Sequence, residues 1–464
     1  MKYRTDEDSL GKIKVPAGAY YGPHTARVLE NFPSLPGWQH GFIKSYALVK
    51  HAAARANMST ARLDSKIGNA IVKACSEIAN DKLLEQFPVG VFSQGAGTSL
   101  NMNLNEVIAN RALEILGGKK GSYELVSPYD HVNMAQSTND TFHTAMHVAA
   151  SLLIRRELLP ALHHLEKFLN QKSKQFSRIV KSGRTHLQDA VPLTLGQEFS
   201  GYAATIGKNI GRIEIALDNL LEINLGGTAI GTGLNAEPKY QRQVVRELSR
   251  LAKLNLRPAK NMFASTANMN AVVQMSGTLK TLAVSLIKIA DDFRLLSSSA
   301  VGEINLPAVT AGSTIMPGKV NPSIPEMINM VGFQVIGNDT TITLAGQSGQ
   351  LELNVFMPVA AYNLINSIEL LSKSCELLGK KCVVGIKVNE HKVKEHLRRN
   401  TAIVAVLMPY IGYKKAAEAA RKSHESGKTI RQVCIEMNLL AGKELDNILD
   451  MKKMTKSGIA KKGK

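Results

Sequence analysis

The chain has 464 residues, enough to bury a large core and to form two to four domains. Hydrophobic residues make up 44% and charged residues 20%, the balance of a soluble globular protein. Residues 1–16 are charged and lack the apolar run of a signal peptide, and no segment reads as long and apolar enough to span a membrane. The four cysteines, Cys75, Cys375, Cys382 and Cys434, fit no ligand or redox spacing and read as reduced thiols of a cytoplasmic chain.

The formal net charge is +19, and over half of it sits at one end. Residues 385–464 hold 18 Lys and Arg against 8 Asp and Glu; 451–464 hold six lysines and no acid. Phosphate attraction would make such a tail a nucleic-acid contact. Aromatic residues are only 5%, however, and no helix-turn-helix, zinc-finger or RNA-recognition pattern occurs. The plainer reading is a solvated basic face with a frayed tail. A third reading is electrostatic attraction of a small dianionic substrate.

Residues 1–139 read as an N-terminal domain of short helices and loops. It holds the turn-rich Tyr20-Tyr21-Gly22-Pro23-His24-Thr25-Ala26-Arg27, then the glycine-hinged Gly95-Ala96-Gly97-Thr98-Ser99. Asn101-Met102-Asn103-Leu104-Asn105-Glu106 follows at the start of a helical run, and Ser127-Pro128-Tyr129-Asp130-His131 leads into Gln136-Ser137-Thr138-Asn139-Asp140. From 140 to 388 the period changes. Apolar residues recur in steps of three and four at Phe199, Tyr202, Ile206, Ile210, Ile213, Leu217 and Leu220. Leu279, Leu282, Leu286, Ile289, Phe293 and Leu296 repeat the spacing, as do Ala361, Leu364, Ile368, Leu371, Cys375 and Leu378. These are long amphipathic helices that pack at shallow angles into a bundle. Strand-like alternation is nearly absent, so the expected fold class is all-α. Stripes this long commonly bury against other subunits too, which predicts a symmetric oligomer. After Gly385 the stripes shorten and Pro409 and Gly412 interrupt them, leaving 389–464 as a small helical C-terminal domain with a basic tail.

Three stretches share one chemical style. Thr98-Ser99, Ser137-Thr138-Asn139 and Thr185-His186 each read as small hydroxyls or amides at helix starts, where backbone N–H groups are unpaired. Singly, each Ser/Thr stretch is an ordinary helix cap, and His186 an ordinary structural histidine. The fourth stretch, Ala311-Gly312-Ser313-Thr314-Ile315-Met316-Pro317-Gly318-Lys319-Val320-Asn321-Pro322, differs from a plain connector. It sets a hydroxyl, an ammonium and a carboxamide on a backbone that glycine bends and proline stiffens, a make-up suited to gripping a small anion. No carboxylate or His/Cys cluster has metal-ligand spacing, and there is no Walker loop or dinucleotide fingerprint, so no metal site is expected.

Residues 312–322 resemble the Gly-Ser-Ser-x-Met-Pro-x-Lys-x-Asn-Pro pattern of the fumarase/aspartase superfamily. Thr98-Ser99-Leu100-Asn101-Met102-Asn103, Gln136-Ser137-Thr138-Asn139-Asp140 and Gly183-Arg184-Thr185-His186-Leu187-Gln188-Asp189 resemble its other conserved regions. So do Gly227-Thr228-Ala229-Ile230-Gly231-Thr232-Gly233-Leu234-Asn235 and Gly349-Gln350-Leu351-Glu352-Leu353-Asn354-Val355, and the likeness covers nearly the whole chain.

The resemblance implies a homotetramer with a twenty-helix core, five helices per subunit, and active sites each shared by three subunits. It implies loss of a C3 proton and then of the C2 substituent from a succinyl-type substrate, giving fumarate without a cofactor. Ser313 is then the base, Lys319 and Asn321 bind the substrate carboxylate, and Thr98, Ser99, Ser137, Thr138, Asn139, Thr185 and His186 hold the rest. Glu326 is the carboxylate partner of the His186 imidazole.

Within the superfamily, Ala19-Tyr20-Tyr21-Gly22-Pro23-His24-Thr25, Gly302-Glu303-Ile304-Asn305-Leu306-Pro307 and Asn321-Pro322-Ser323-Ile324-Pro325-Glu326 resemble aspartate ammonia-lyases. Asp140-Thr141-Phe142 and Met146-His147 resemble class II fumarases. Four departures stand out. Thr314 replaces a serine, Ser297-Ser298-Ser299-Ala300-Val301 is about three residues shorter than in the family, and Ala264 and Asn270 stand where the resemblance predicts acids. These departures leave open altered substrate choice or a weakened enzyme, and a non-catalytic homologue binding polyanions through the basic C-terminal region is the further alternative.

Overall fold

The computed structural model describes residues 2–459. The chain divides into two compact units: residues 1–160, 209–283 and 331–373 form one, and 161–208, 284–330 and 374–464 the other. This division cuts through the long helices, whereas the three sequence regions follow where helix length changes.

Five long helical passages dominate. They are Thr138–Leu153 continuing through a wider turn into Leu159–Gln175, then Leu195–Leu220, Asn270–Ser297, Ser323–Gln347 and Met357–Leu377. The fold is the all-α one that the stripes predict, and all nineteen stripe residues are buried. Each large apolar side chain so buried contributes about 1.5–3 kcal/mol. In the first unit, Phe42 stacks on Trp38 at 4.9 Å between ring centres and meets Phe142 at 5.1 Å. In the second, Phe199 packs against Phe176 and Phe293 at 5.3 and 5.6 Å. Residues 403–449 build a small core around Leu407, Ala419, Cys434, Leu445 and Ile448.

The N-terminal region differs from the expectation of short helices and loops. It opens on a hairpin pairing Tyr3–Asp8 with Gly11–Pro16 and contains the 20-residue helix His40–Ser59. Nor does the expected lack of any membrane-length apolar segment hold by composition. The 28-residue helix Asn270–Ser297 reaches a mean hydropathy of 1.2, enough by length and apolarity to cross a bilayer. Its stripe Leu279, Leu282, Leu286, Ile289 and Phe293 is buried within the protein, as in the core helix of a bundle. The frayed-tail reading also fails in part. Asp450 caps a final helical turn, Met451–Met454, and Gln197 donates to the Thr455 carbonyl at 2.9 Å. The last three lysines, Lys461, Lys462 and Lys464, lie outside the described residues.

Candidate active site

In the first unit, glycine sets the entry to the helix Thr98–Ile115. Ala96 and Gly97 both take positive φ, and a Cβ on Gly97 would fall inside the Phe142 ring. The Thr98 hydroxyl donates to the Gly95 carbonyl at 3.1 Å, while buried Ser99 bonds Gln94 through both that residue's N–H and its side-chain oxygen. The same Gln94 oxygen meets His24 Nε2 at 3.2 Å, joining the turn-rich N-terminal stretch to Ser99. That stretch is clamped by Glu106, which accepts from the N–H groups of Gly22, His24 and Thr25 and from the Thr25 hydroxyl at 2.7–3.1 Å. Burial pushes the Glu106 carboxyl up to about 7 against those four donors.

Ser137 caps the helix Thr138–Leu153, with Asp140 completing a capping box. Fully buried Asp140 also accepts from the N–H groups of Gly226 and Thr228 at 3.0 and 3.1 Å, so one carboxylate ties Ser137 to the glycine-rich loop that follows Asn224. Asn139 donates to the Ala229 carbonyl at 2.7 Å, a second tie to the same loop. Burial raises the Asp140 carboxyl to about 6. Beneath lies a polar network: buried Lys50 donates to Asn133 at 3.0 Å, which also takes bonds from Asn101 and Asn105. Burial brings the Lys50 ammonium down to about 7.

In the second unit, Thr185 and His186 are not at a helix start. They close a β-hairpin, Val180–Thr185 against Gln188–Thr194, whose two turn residues His186 and Leu187 have φ of 55° and 59°. Positive φ at both positions matches the twist of the strands and presents His186 to solvent. The hairpin is anchored from below. Buried Glu303 bonds Arg184 at 2.8 Å and pairs with Lys181 at 2.9 Å, and Lys181 also meets Glu198 at 2.9 Å. Burial pushes the Glu303 carboxyl up, but Arg184 and Lys181 outweigh it and hold it below its ordinary value. Just upstream, the shortened stretch closes compactly: the Ser298 hydroxyl bonds the Leu295 carbonyl and the Glu303 N–H bonds that of Leu296.

Residues 311–322 form a loop on the surface of this chain. Gly312 lies against the Lys319 carbonyl, where a Cβ would not fit, so the two ends of the loop meet. The Ile315 and Met316 N–H groups donate to Ser313 Oγ at 3.3 and 3.2 Å, the arrangement that stabilises negative charge on that oxygen. Lys319 and Asn321 are exposed, and Glu326 is exposed in the first turn of the helix Ser323–Gln347. Among the described residues, no hydrogen bond or ion pair joins His186 to Glu326 within one chain, and no three His, Cys, Asp or Glu side chains converge as for a metal.

Glu106, Asp140, Arg184 and Glu303 act as supports that the sequence motifs alone do not single out. Asp140 was findable as the fourth residue of a Ser-x-x-Asp capping box. Glu106 was not, because its partners lie 81–84 residues away.

Residues 11–337 match the model of the lyase family, and 403–456 that of the fumarase C C-terminus. The chain is 45% identical over 466 residues to an aspartate ammonia-lyase of Bacillus subtilis, covering 99% of this chain and 98% of that one. It is 46% identical over 456 residues to a class II fumarate hydratase of Neisseria meningitidis, covering 97% and 98%. A class II fumarase structure from Schistosoma mansoni superposes with a TM-score of 0.95 at 38% identity, covering 98% of this chain and 99% of that one. Together with the capped helix starts and the Ser313 loop, these matches make the chain a member of the fumarase/aspartase superfamily of lyases.

Proposed function

We propose that the protein is an aspartate ammonia-lyase, converting L-aspartate reversibly to fumarate and ammonia. The observation that carries the chemistry is Ser313, whose oxygen receives two backbone N–H bonds in a loop that also holds Lys319 and Asn321. A serine is a poor base unless its anion is stabilised, and those donors supply that. Ser313 takes the C3 proton; the electron pair moves into the neighbouring carboxylate as an enediolate, held by Lys319 and Asn321. Collapse of the enediolate forms the double bond and expels ammonia from C2. Donors that bind more strongly as carboxylate charge grows lower the barrier. Thr98, Ser99, Ser137, Thr138, Asn139 and Thr185 hold the rest of the substrate, and His186 acts with Glu326.

For ammonia as the leaving group, the supporting observation is His24, which stands at an aspartase-like position and reaches Ser99 through Gln94. The second reading, a class II fumarase converting L-malate to fumarate and water, rests on the fumarase-like Asp140-Thr141-Phe142 and on near-equal identity to both kinds of relative. L-aspartate and L-malate assayed side by side for the fumarate absorbance band decide between them. Malate turnover without aspartate turnover replaces the first reading with the second. Silence with both substrates, together with salt-sensitive retention on nucleic acid, favours a non-catalytic homologue binding polyanions.

The working form in this proposal is a cytoplasmic homotetramer with a twenty-helix core, each chain divided into regions 1–139, 140–388 and 389–464. Ile215, Met330 and Phe333 on the long helices are 69%, 63% and 61% exposed in one chain, apolar surface of the kind an oligomer covers. Because His186 and Glu326 do not meet within one chain, they pair across subunits.

A further inference from the structure

The helix Tyr240–Ala252 carries a second concentration of positive charge, far along the chain from the basic C-terminal region. Residues 239–253 hold five cations and one acid. Lys239, Arg242, Arg246, Arg250 and Lys253 follow one another in steps of three and four, so they share one face of the helix, and all five are exposed. The opposite face, with Tyr240, Val244, Leu248 and Ala252, is buried. At 1.5 Å per residue the row is about 21 Å long. Its single acid, Glu247, bonds Arg250 at 2.6 Å. Among the described residues, Lys239, Arg242, Arg246 and Lys253 have no ion-pair partner. Arg246 stands between two hollows. One, of about 410 Å³, it shares with exposed Arg55 of the helix His40–Ser59; the other, of about 620 Å³, it lines with Lys239 and Arg242 and no acid. The row lies on none of the five long helices whose apolar surface an oligomer covers.

We propose that this row is a contact for the sugar–phosphate backbone of double-stranded DNA, bound without regard to base sequence. Three of the five cations are arginines, whose planar guanidinium pairs bidentately with phosphate. One strand of a duplex passes a phosphate about every 3.4 Å of its axis, so a row of about 21 Å faces about six of them. A single small dianion spans one or two of these cations and leaves the rest of the row without a partner. Single-stranded nucleic acid is held largely by stacking on aromatic side chains. The row offers none, because Tyr240, the one aromatic residue of the helix, is fully buried.

The test measures binding of the full-length protein to a fluorescent DNA duplex by anisotropy, between about 50 and 200 mM salt. The logarithm of affinity is expected to fall against the logarithm of salt with a slope of about −4, the value for four to five phosphate contacts. Arg242→Gln combined with Arg246→Gln is expected to flatten that slope by about 2 and to weaken binding at low salt at least about tenfold. Lys414→Gln combined with Lys415→Gln removes the same charge from exposed positions of the C-terminal region and leaves the slope unchanged. Circular dichroism checks that both variants fold. The readout needs no turnover, so its failure is separable from failure of the lyase reading. Absence of duplex binding at low salt, or a slope unaltered by the Arg242 and Arg246 substitutions, overturns the proposal. Polyglutamate that displaces the duplex as well as unlabelled DNA does also overturns it, and assigns the row to an acidic protein partner.

Discussion

Ser313 takes its hydrogen bonds from the Ile315 and Met316 N–H groups, so its basicity rests on the loop backbone. Ser313→Ala is expected to lower kcat by about 10²–10⁴, the usual contribution of a positioned proton acceptor. The far-ultraviolet circular dichroism and oligomer mass stay unchanged, because the loop contributes little to the core. Normal turnover in that variant sinks the assignment. Glu106 leads to a prediction about pH. Its folded-state value of about 7 lies above its ordinary 4.5, so the folded chain holds the extra proton between those values. Its contribution to stability is complete below about pH 4.5 and lost as pH rises through 7. Asp140, raised from 3.8 to about 6, acts in the same direction. Measured against Glu106→Gln, the wild-type unfolding free energy from denaturant titration is expected to fall from pH 5 to pH 8 by an amount on the order of 2–3 kcal/mol, while the buried Lys50, His143 and His147, whose values burial lowers, act in the opposite sense in both proteins. A slope unchanged by the substitution assigns it to other groups. Neither carboxylate shows its office in the sequence in the same way. Asp140 sits where helix caps are made, whereas Glu106 looks like any acid on a helix until the chain folds Gly22–Thr25 onto it.

Among the elements, the hairpin Val180–Thr194 shows what periodicity misses. Its strands are six and seven residues long, and its turn carries His186 and Leu187 where glycine or asparagine would have announced positive φ. The long helices are legible for the opposite reason: a stripe repeated over five to seven turns marks one continuous face, and its seven members Phe199, Tyr202, Ile206, Ile210, Ile213, Leu217 and Leu220 are all buried. What holds the hairpin is Glu303, neutralising Lys181 and Arg184 from a position that no local spacing reveals. Glu303→Gln leaves Lys181 with Glu198 alone and Arg184 with the more distant Asp189 at 3.7 Å. Breaking one side of a buried ion network costs about 3–5 kcal/mol. Hydrogen exchange is expected to speed up across 180–194 while the helix His40–Ser59 keeps its protection. The ratio kcat/KM should fall with it, because His186 rides on the hairpin tip. Unchanged exchange in the hairpin would falsify the anchoring role.

For the whole molecule, the decisive question is whether one chain suffices for a site. Glu326 and His186 make no hydrogen bond or ion pair within a chain, yet the lyase reading needs them together. Exposed Ile215, Met330 and Phe333 give the long helices apolar surface for neighbours to cover. Light scattering after gel filtration is therefore expected to give four times the 50.4 kDa chain mass. Mixing two inactive variants tests the sharing directly. Ser313→Ala and His186→Ala, co-expressed or unfolded and refolded together, form mixed tetramers. If Ser313 and His186 of one site come from different subunits, some sites draw an intact Ser313 from one variant and an intact His186 from the other. Random mixing then restores about one quarter of full activity, while either variant alone stays inactive. If both residues come from the same subunit, every site carries at least one lesion and mixing restores nothing. Tetramers that mix, as shown by exchange of a mass-tagged chain, and yet remain inactive would rule out the shared site while leaving the superfamily membership intact.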